Sequence, residues 1–311
     1  MSLGNDNSTW CHPAGTLAAD GWDCVIGDSL VGWAHTGLRT ATLAPGQGIE
    51  LALDGHEAVI VPLSGGPVAV AVTGPDGVAL SLDLTGRGGV FDGPTDVAYA
   101  PPGWLLHLSA PEGHGAGPGV RVAVCLASTG PTDIPPHRLS AQQVPVELRG
   151  AGIASREVRN FGVPGVLDAG RIIACEVITP AGNWSSWPPH KHDTERPGIE
   201  AELEEIYWFE TRTIDARGAD PVGYQRVYGT DERPIDVLAE VRTGDVVLVP
   251  HGWHGPAVAA PDADLYYLNV MAGPGPARAW LICDDPAHAW VRETWPELAT
   301  DPRLPLAPPL P

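Results

Sequence analysis

Short apolar runs, each closed by Gly, Pro or Asp, recur along the whole chain. The first half holds them at 58–63 (AVIVPL), 68–72 (VAVAV), 79–84, 97–101 and 120–127. The second holds them at 171–180, 205–209, 224–228, 245–250, 266–272 and 279–284. Runs this short, rich in Val, Ile and Tyr and bounded by turn formers, predict strands, and so many strands predict an all-β chain of sandwiches or barrels. The 38 glycines and 33 prolines are scattered singly or in pairs and punctuate short elements. Helical periodicity is weak and confined to DVLAEV at 236–241 and to WVRETWPELA at 290–299.

A chain of 311 residues has room for about two domains with a core each. Residues 128–146, rich in Pro, Ser and Gln, read as the linker, which divides the chain into 1–145 and 146–311. The halves look like copies. Asp96-Val97 through Pro101, Gly103 and Trp104 align in register with Asp245-Val246 through Pro250, Gly252 and Trp253. In that alignment Leu105 stands opposite His254, and Glu57 matches Glu205.

The formal charge of -20, with no block of Lys or Arg, argues against nucleic acid and anionic membranes as partners. A small anionic ligand would need a local exception, such as a metal ion or a buried arginine. Five widely spaced cysteines without a C-x-x-C pair predict the reducing cytoplasm. The polar start and the lack of any run of eighteen apolar residues suggest neither export nor membrane insertion.

Of the 18 basic residues that are Lys or Arg, one is a lysine, and it lies between two histidines in NWSSWPPHKHD, residues 183–193. On a strand His190 and His192 share a face, and Lys191 points the other way. Two imidazoles at that spacing suit a divalent cation. His254, in GDVVLVPHGWHG, and Glu205, at the head of EIYWF, complete a set of three imidazoles and a carboxylate with open positions left over. Glu195 is the alternative carboxylate.

These segments resemble the two motifs of the cupins, in which H-x-H, a Glu and a later His converge on a metal inside a β-barrel. Two departures stand out. Twelve residues separate His192 from Glu205, so an insertion must loop out, and P-H-G-W-H is one residue tighter than usual. With EEIYWF, GYQRVY, YYLNVMAG and DPAHAW, the chain looks like the two-cupin 5-deoxy-glucuronate isomerases of inositol catabolism, related to 5-keto-4-deoxyuronate isomerase. The resemblance implies tandem cupin (jelly-roll) domains, the first without a metal site and the second with the active site. It also implies one divalent metal, zinc or manganese first and iron also compatible, and a small anionic sugar acid as substrate. Assembly into a homo-oligomer is compatible with it.

An aldose–ketose isomerase must move a proton from C2 to C1 beside a polarised carbonyl. Candidate bases are His251, Tyr267 and Glu204. For the substrate carboxylate Arg226 leads, with Tyr224 on the same strand face, Tyr267 as a further contact and Arg278 in reserve. Tyr266 and Asn269 could add polar contacts, and Trp184, Trp187 and Trp253 could keep the pocket dry. The rivals are isomerisation of another uronate and a cupin dioxygenase, since the same ligands hold Fe(II).

Overall fold

Each apolar run contains a strand in the computed structural model, which describes residues 5–112, 119–215 and 220–307. Two long antiparallel sheets lie back to back. The first has the strand order 137–139, 97–100, 56–64, 120–128, 36–43, 24–26. The second runs 11–12, 246–249, 204–213, 263–272, 173–179, 156–162, 146–149. A smaller sheet covers the far side of each, built on 48–52, 105–109, 66–73 and 79–81 in one case. In the other it is built on 236–241, 223–228, 253–259, 190–191 and 283–284. The result is two tandem cupin barrels.

Three apolar layers hold the four sheets. Ala58, Ile60, Val70 and Leu106 fill the first barrel, and Val158, Val177, Phe209 and Val237 belong to the second. Val59, Val61, Ile206, Trp208 and Leu268 pack between the barrels. The central strands are therefore covered on both faces, and Ala263–Ala272 is buried at every position. That is why their sequences run apolar without alternation. The outer strand Asp236–Val241 does alternate, with Val237, Ala239 and Val241 buried and Leu238 and Glu240 exposed. The helix expected there is thus a strand, because six residues were too few to separate the two periods. The expected helix at 290–299 is present as Val291–Thr294 followed by a 3-10 turn, Trp295–Glu297.

Residues 128–146 are more than a connector. His137–Leu139 pairs with Val97–Tyr99 at the edge of the first long sheet, and Val146–Arg149 begins the second. The amino-terminal arm crosses over. Cys11 and His12 pair with Val247 and Val246, and Asn7 exchanges hydrogen bonds with Leu238. Residues 6–12 therefore run along the second barrel and cover the edge of strand Val246–Val249, which would otherwise be open.

Two carboxylates lock the barrels reciprocally. Glu57 accepts the backbone N–H groups of Gly170, Arg171 and Ile172 at 2.6, 2.5 and 2.7 Å, and the Tyr99 hydroxyl at 2.8 Å. Glu204 accepts the N–H groups of Ala34, His35 and Thr36 at 3.2, 2.6 and 2.5 Å. This corrects the alignment of the halves. Glu57 corresponds to Glu204, and Ala58, inside the first barrel, stands where Glu205 stands in the second. Leu105 is an outer residue, 41% exposed, and Leu106 takes the inward place held by His254. A slip of one residue moves every side chain to the other face. In a Glu204→Ala variant three N–H groups lose their acceptor, so stability should fall by about 3 kcal/mol in urea titrations. An unchanged midpoint would contradict the clamp.

Candidate metal centre in the second barrel

The small sheet of the second barrel brings the histidines together. His190 lies directly opposite His254 in the pairing of His190–Lys191 with Trp253–Ala259. The twelve-residue insertion leaves the barrel as a hairpin, Asp193–Arg196 against Glu200–Glu202, and the chain re-enters at Glu205. Lys191 points outward, as alternation requires, and binds Asp193 and Glu200 while lying 5.6 Å over the Trp253 ring. Asp193 in turn accepts the Gly252 N–H at 2.8 Å, which ties the H-K-H segment to the turn before His254.

Donor atoms of His192, Glu205 and His254 lie within 4.8 Å of one another. Glu205 Oε2 is 3.0 Å from His192 Nε2 and 3.2 Å from His254 Nε2. The His190 ring sits 4.4 Å, centre to centre, from that of His254. Each imidazole turns Nδ1 toward a backbone carbonyl: Pro188 at 3.5 Å, Leu203 at 3.1 Å and Gly252 at 3.2 Å. An N–H held there leaves Nε2 with its lone pair toward the interior. His254 Nε2 is buried and, despite its approach to Glu205, has no partner in hydrogen-bond geometry among the described residues. Burial works to raise the Glu205 pKa, but His192 and His254 outweigh it and hold the carboxyl at about 2. Burial, together with the neighbouring imidazoles, pushes His190 well below its ordinary value. An ionised carboxylate, a neutral imidazole and an orphaned ring nitrogen in one buried cluster fit a divalent cation.

Other candidates lie elsewhere. Glu195 is exposed in the hairpin. Arg226 and Tyr224 do share a strand face, but it is the outer one: Arg226 binds Asp236 at 2.6 Å and the Val237 carbonyl at 2.7 Å, and Tyr224 binds Glu240. The inward residues of Gly223–Tyr228 are Gly223, Gln225 and Val227. Arg278 is spent on the carbonyls of Ile172, Leu167 and Gly162. Among the bases, Glu204 faces the first barrel and is saturated with N–H donors. His251 sits on the turn with Nε2 3.4 Å from the Pro234 carbonyl. Tyr266 also faces away, toward Glu176.

Tyr267 does face inward. Its hydroxyl donates to Ser185 Oγ at 2.9 Å and lies 3.2 Å from Ser186 Oγ, and burial pushes its pKa up to about 12. It is therefore a neutral phenol at ordinary pH, suited to donating a hydrogen bond and unsuited to being a base. Beside it are groups the sequence reading passed over. Tyr207, two residues after Glu205, has its ring 5.0 Å from Tyr267 and 6.2 Å from His254. Gln225 is fully buried, with neither amide atom partnered among the described residues. Its signal was present in the sequence, since it is in phase with apolar Val227.

Similarity to known proteins agrees with this architecture. Residues 10–291 match the model of the KduI/IolB family. The chain is 38% identical over 266 residues to the 5-deoxy-glucuronate isomerase of Geobacillus kaustophilus, covering 85% of this chain and 88% of that one. It is 36% identical to the enzyme of the same name from Geobacillus thermodenitrificans, with coverages of 85% and 88%. Among solved structures, an IolB-like protein from Salmonella typhimurium superposes with a TM-score of 0.78 at 31% identity, over 91% of this chain and 99% of that chain. Oxalate decarboxylase from Bacillus subtilis shares the fold at 12% identity, with a TM-score of 0.61 and coverages of 91% and 80%. By the span of the family match and the identity of these relatives, the chain belongs to the KduI/IolB family.

Proposed function

We propose that this chain converts 5-deoxy-D-glucuronate to 5-dehydro-2-deoxy-D-gluconate, an aldose-to-ketose step of inositol catabolism, on one divalent metal held by His190, His192, Glu205 and His254. The observation that carries the reading is the buried cluster of His192, Glu205 and His254, in a chain 38% identical to a protein named for that activity. Zinc or manganese suits three imidazoles and a carboxylate, and iron is compatible. When bound, the ion supplies a Lewis acid for the carbonyl and the adjacent hydroxyl oxygen.

The protein's own groups do the rest. Carbonyl-anchored imidazoles hold the ligand set rigid, and the inward-facing Tyr267 phenol donates to a developing oxyanion by turning its single O–H away from Ser185 Oγ, which accepts it here. The second barrel, within 146–311, carries the chemistry, and the first, within 1–145, is its scaffold, with an interior of apolar side chains such as Leu106 and Val70. The cytoplasm is the compartment we assign, where the free cysteines remain thiols.

The test is proton NMR of 5-deoxy-glucuronate with the metal-loaded protein and an oxygen electrode alongside. Loss of the aldehyde signal without oxygen uptake is expected. Oxygen consumption would establish a dioxygenase instead, and turnover of 5-keto-4-deoxyuronate alone would move the assignment to the related isomerase. A Tyr267→Phe variant should keep its metal and lose about 10²-fold in kcat, in line with removal of one oxyanion donor. Full activity in that variant would remove Tyr267 from the chemistry.

A further inference from the structure

The arginines of the strand Arg156–Gly162 and its neighbour Val146–Arg149 are not equivalent. Arg159 is paired with Glu157 at 2.8 Å, and Arg149 with Glu147 at 2.7 Å. Arg156 is 5% exposed, yet its one hydrogen bond to the described residues runs from Nη1 to the Ala154 carbonyl at 3.2 Å, and its guanidinium lies 5.8 Å from the Trp295 ring centre. Nε and Nη2 have no acceptor among the described residues. A buried guanidinium without a carboxylate is costly and calls for an anion.

Its direction follows from the sheet. Arg156 is in phase with Val158, part of the second barrel's interior, whereas Glu157 and Arg159 face the first barrel. The register that sets Glu157 opposite Ile178 brings Arg156 opposite Thr179, whose buried hydroxyl also has no partner among the described residues. Val158 stands opposite Val177, and Val177 opposite Tyr267, so the face of the sheet that Arg156 shares with Val158 is the one Tyr267 occupies. Burial pulls its own pKa down to about 10, which leaves it cationic at neutral pH.

We infer that Arg156, with the Thr179 hydroxyl beside it, is the receptor for the carboxylate of the substrate, and that it selects a sugar acid over a neutral sugar. The inference rests on the isomerase reading above and supplies the cationic exception that a chain of net charge -20 needs for an anionic ligand. A guanidinium fork meets a carboxylate with two parallel N–H donors, which an ammonium cannot do.

The experiment compares wild type with Arg156→Ala, Arg156→Gln and Arg156→Lys on 5-deoxy-glucuronate and on 5-deoxyglucose, its neutral counterpart with an alcohol in place of the carboxylate. Calorimetric binding of the unreactive alcohol made by reducing the substrate aldehyde runs in parallel. Arg156→Ala and Arg156→Gln should bind the acid about 10²-fold more weakly, with a matching rise in KM and unchanged metal content, and Arg156→Lys should recover part of the loss. Turnover of the neutral sugar should be poor in wild type and no poorer in the variants. Unchanged KM and binding of the acid in whichever variants fold, or an equal loss for acid and neutral sugar, overturns the assignment. A wild-type protein that binds the reduced acid in an Arg156-dependent way but does not isomerise the aldehyde would overturn the isomerase reading and leave the carboxylate site standing.

Discussion

In a His254→Ala variant, metal content falls from about one ion per chain to a trace, and turnover of 5-deoxy-glucuronate falls by at least about 10³-fold. The size follows from what the ring does. His254 is opposite His190 in the strand pairing, 3.2 Å from Glu205, and closes the cluster from the carboxy-terminal segment. Without it the remaining donors come from the H-K-H segment and the strand of Glu205. A loss of about 4 kcal/mol of transition-state stabilisation corresponds to that factor of 10³. Glu205→Gln should behave similarly while leaving the fold intact, because the amide keeps the volume and loses the charge. Plasma emission analysis and NMR turnover on the same samples check both variants. Full metal and full rate in His254→Ala would contradict the ligand assignment.

The largest effect on stability is expected at Glu176, on the opposite face of the sheet from Tyr267. Its carboxylate is 1% exposed and takes a bidentate contact from Arg87 of the first barrel, a hydrogen bond from Tyr266 at 2.7 Å, and Arg159 at 3.7 Å. Removing it leaves buried guanidinium charge uncompensated, so Glu176→Ala should lose about 3–5 kcal/mol in urea unfolding. Burial alone would raise the Glu176 pKa, but Arg87 and Arg159 hold it below the ordinary carboxylate value. A group depressed in the folded state contributes fully above its unfolded pKa, about 4.3, and loses that contribution as pH falls through the lower folded value. The difference between wild type and Glu176→Gln should therefore be full at pH 7 and shrink below about pH 4. A difference independent of pH would mean that the carboxylate is not held ionised by these arginines.

The fold was legible because the central strands are buried on both faces, which writes them as unbroken apolar runs. The buried grouping of His192, Glu205 and His254 was legible because H-K-H places two imidazoles on one side and because E-I-Y marks a strand entry. What failed was the choice of face. Alternation states that Tyr224 and Arg226 lie together but not which side is inward, and the acidic Asp236 and Glu240 on the adjacent strand draw them outward. The same ambiguity hid Arg156, because S-R-E-V-R-N offers two arginines three residues apart, on opposite faces, one already paired. The contact between barrels was invisible for a different reason. Glu57 and Glu204 bind backbone N–H groups more than a hundred residues away, and no local pattern records an acceptor for a distant loop.

The central claim is that one ion in the second barrel makes this chain an isomerase. Its most direct test is turnover of 5-deoxy-glucuronate, followed by NMR on one preparation before chelation, after chelation and after return of zinc, manganese or iron. The account predicts about one ion per chain at the start, loss of ion and activity together, and recovery with at least one of the three metals. A chelated protein free of metal that still isomerises at the full rate would contradict it.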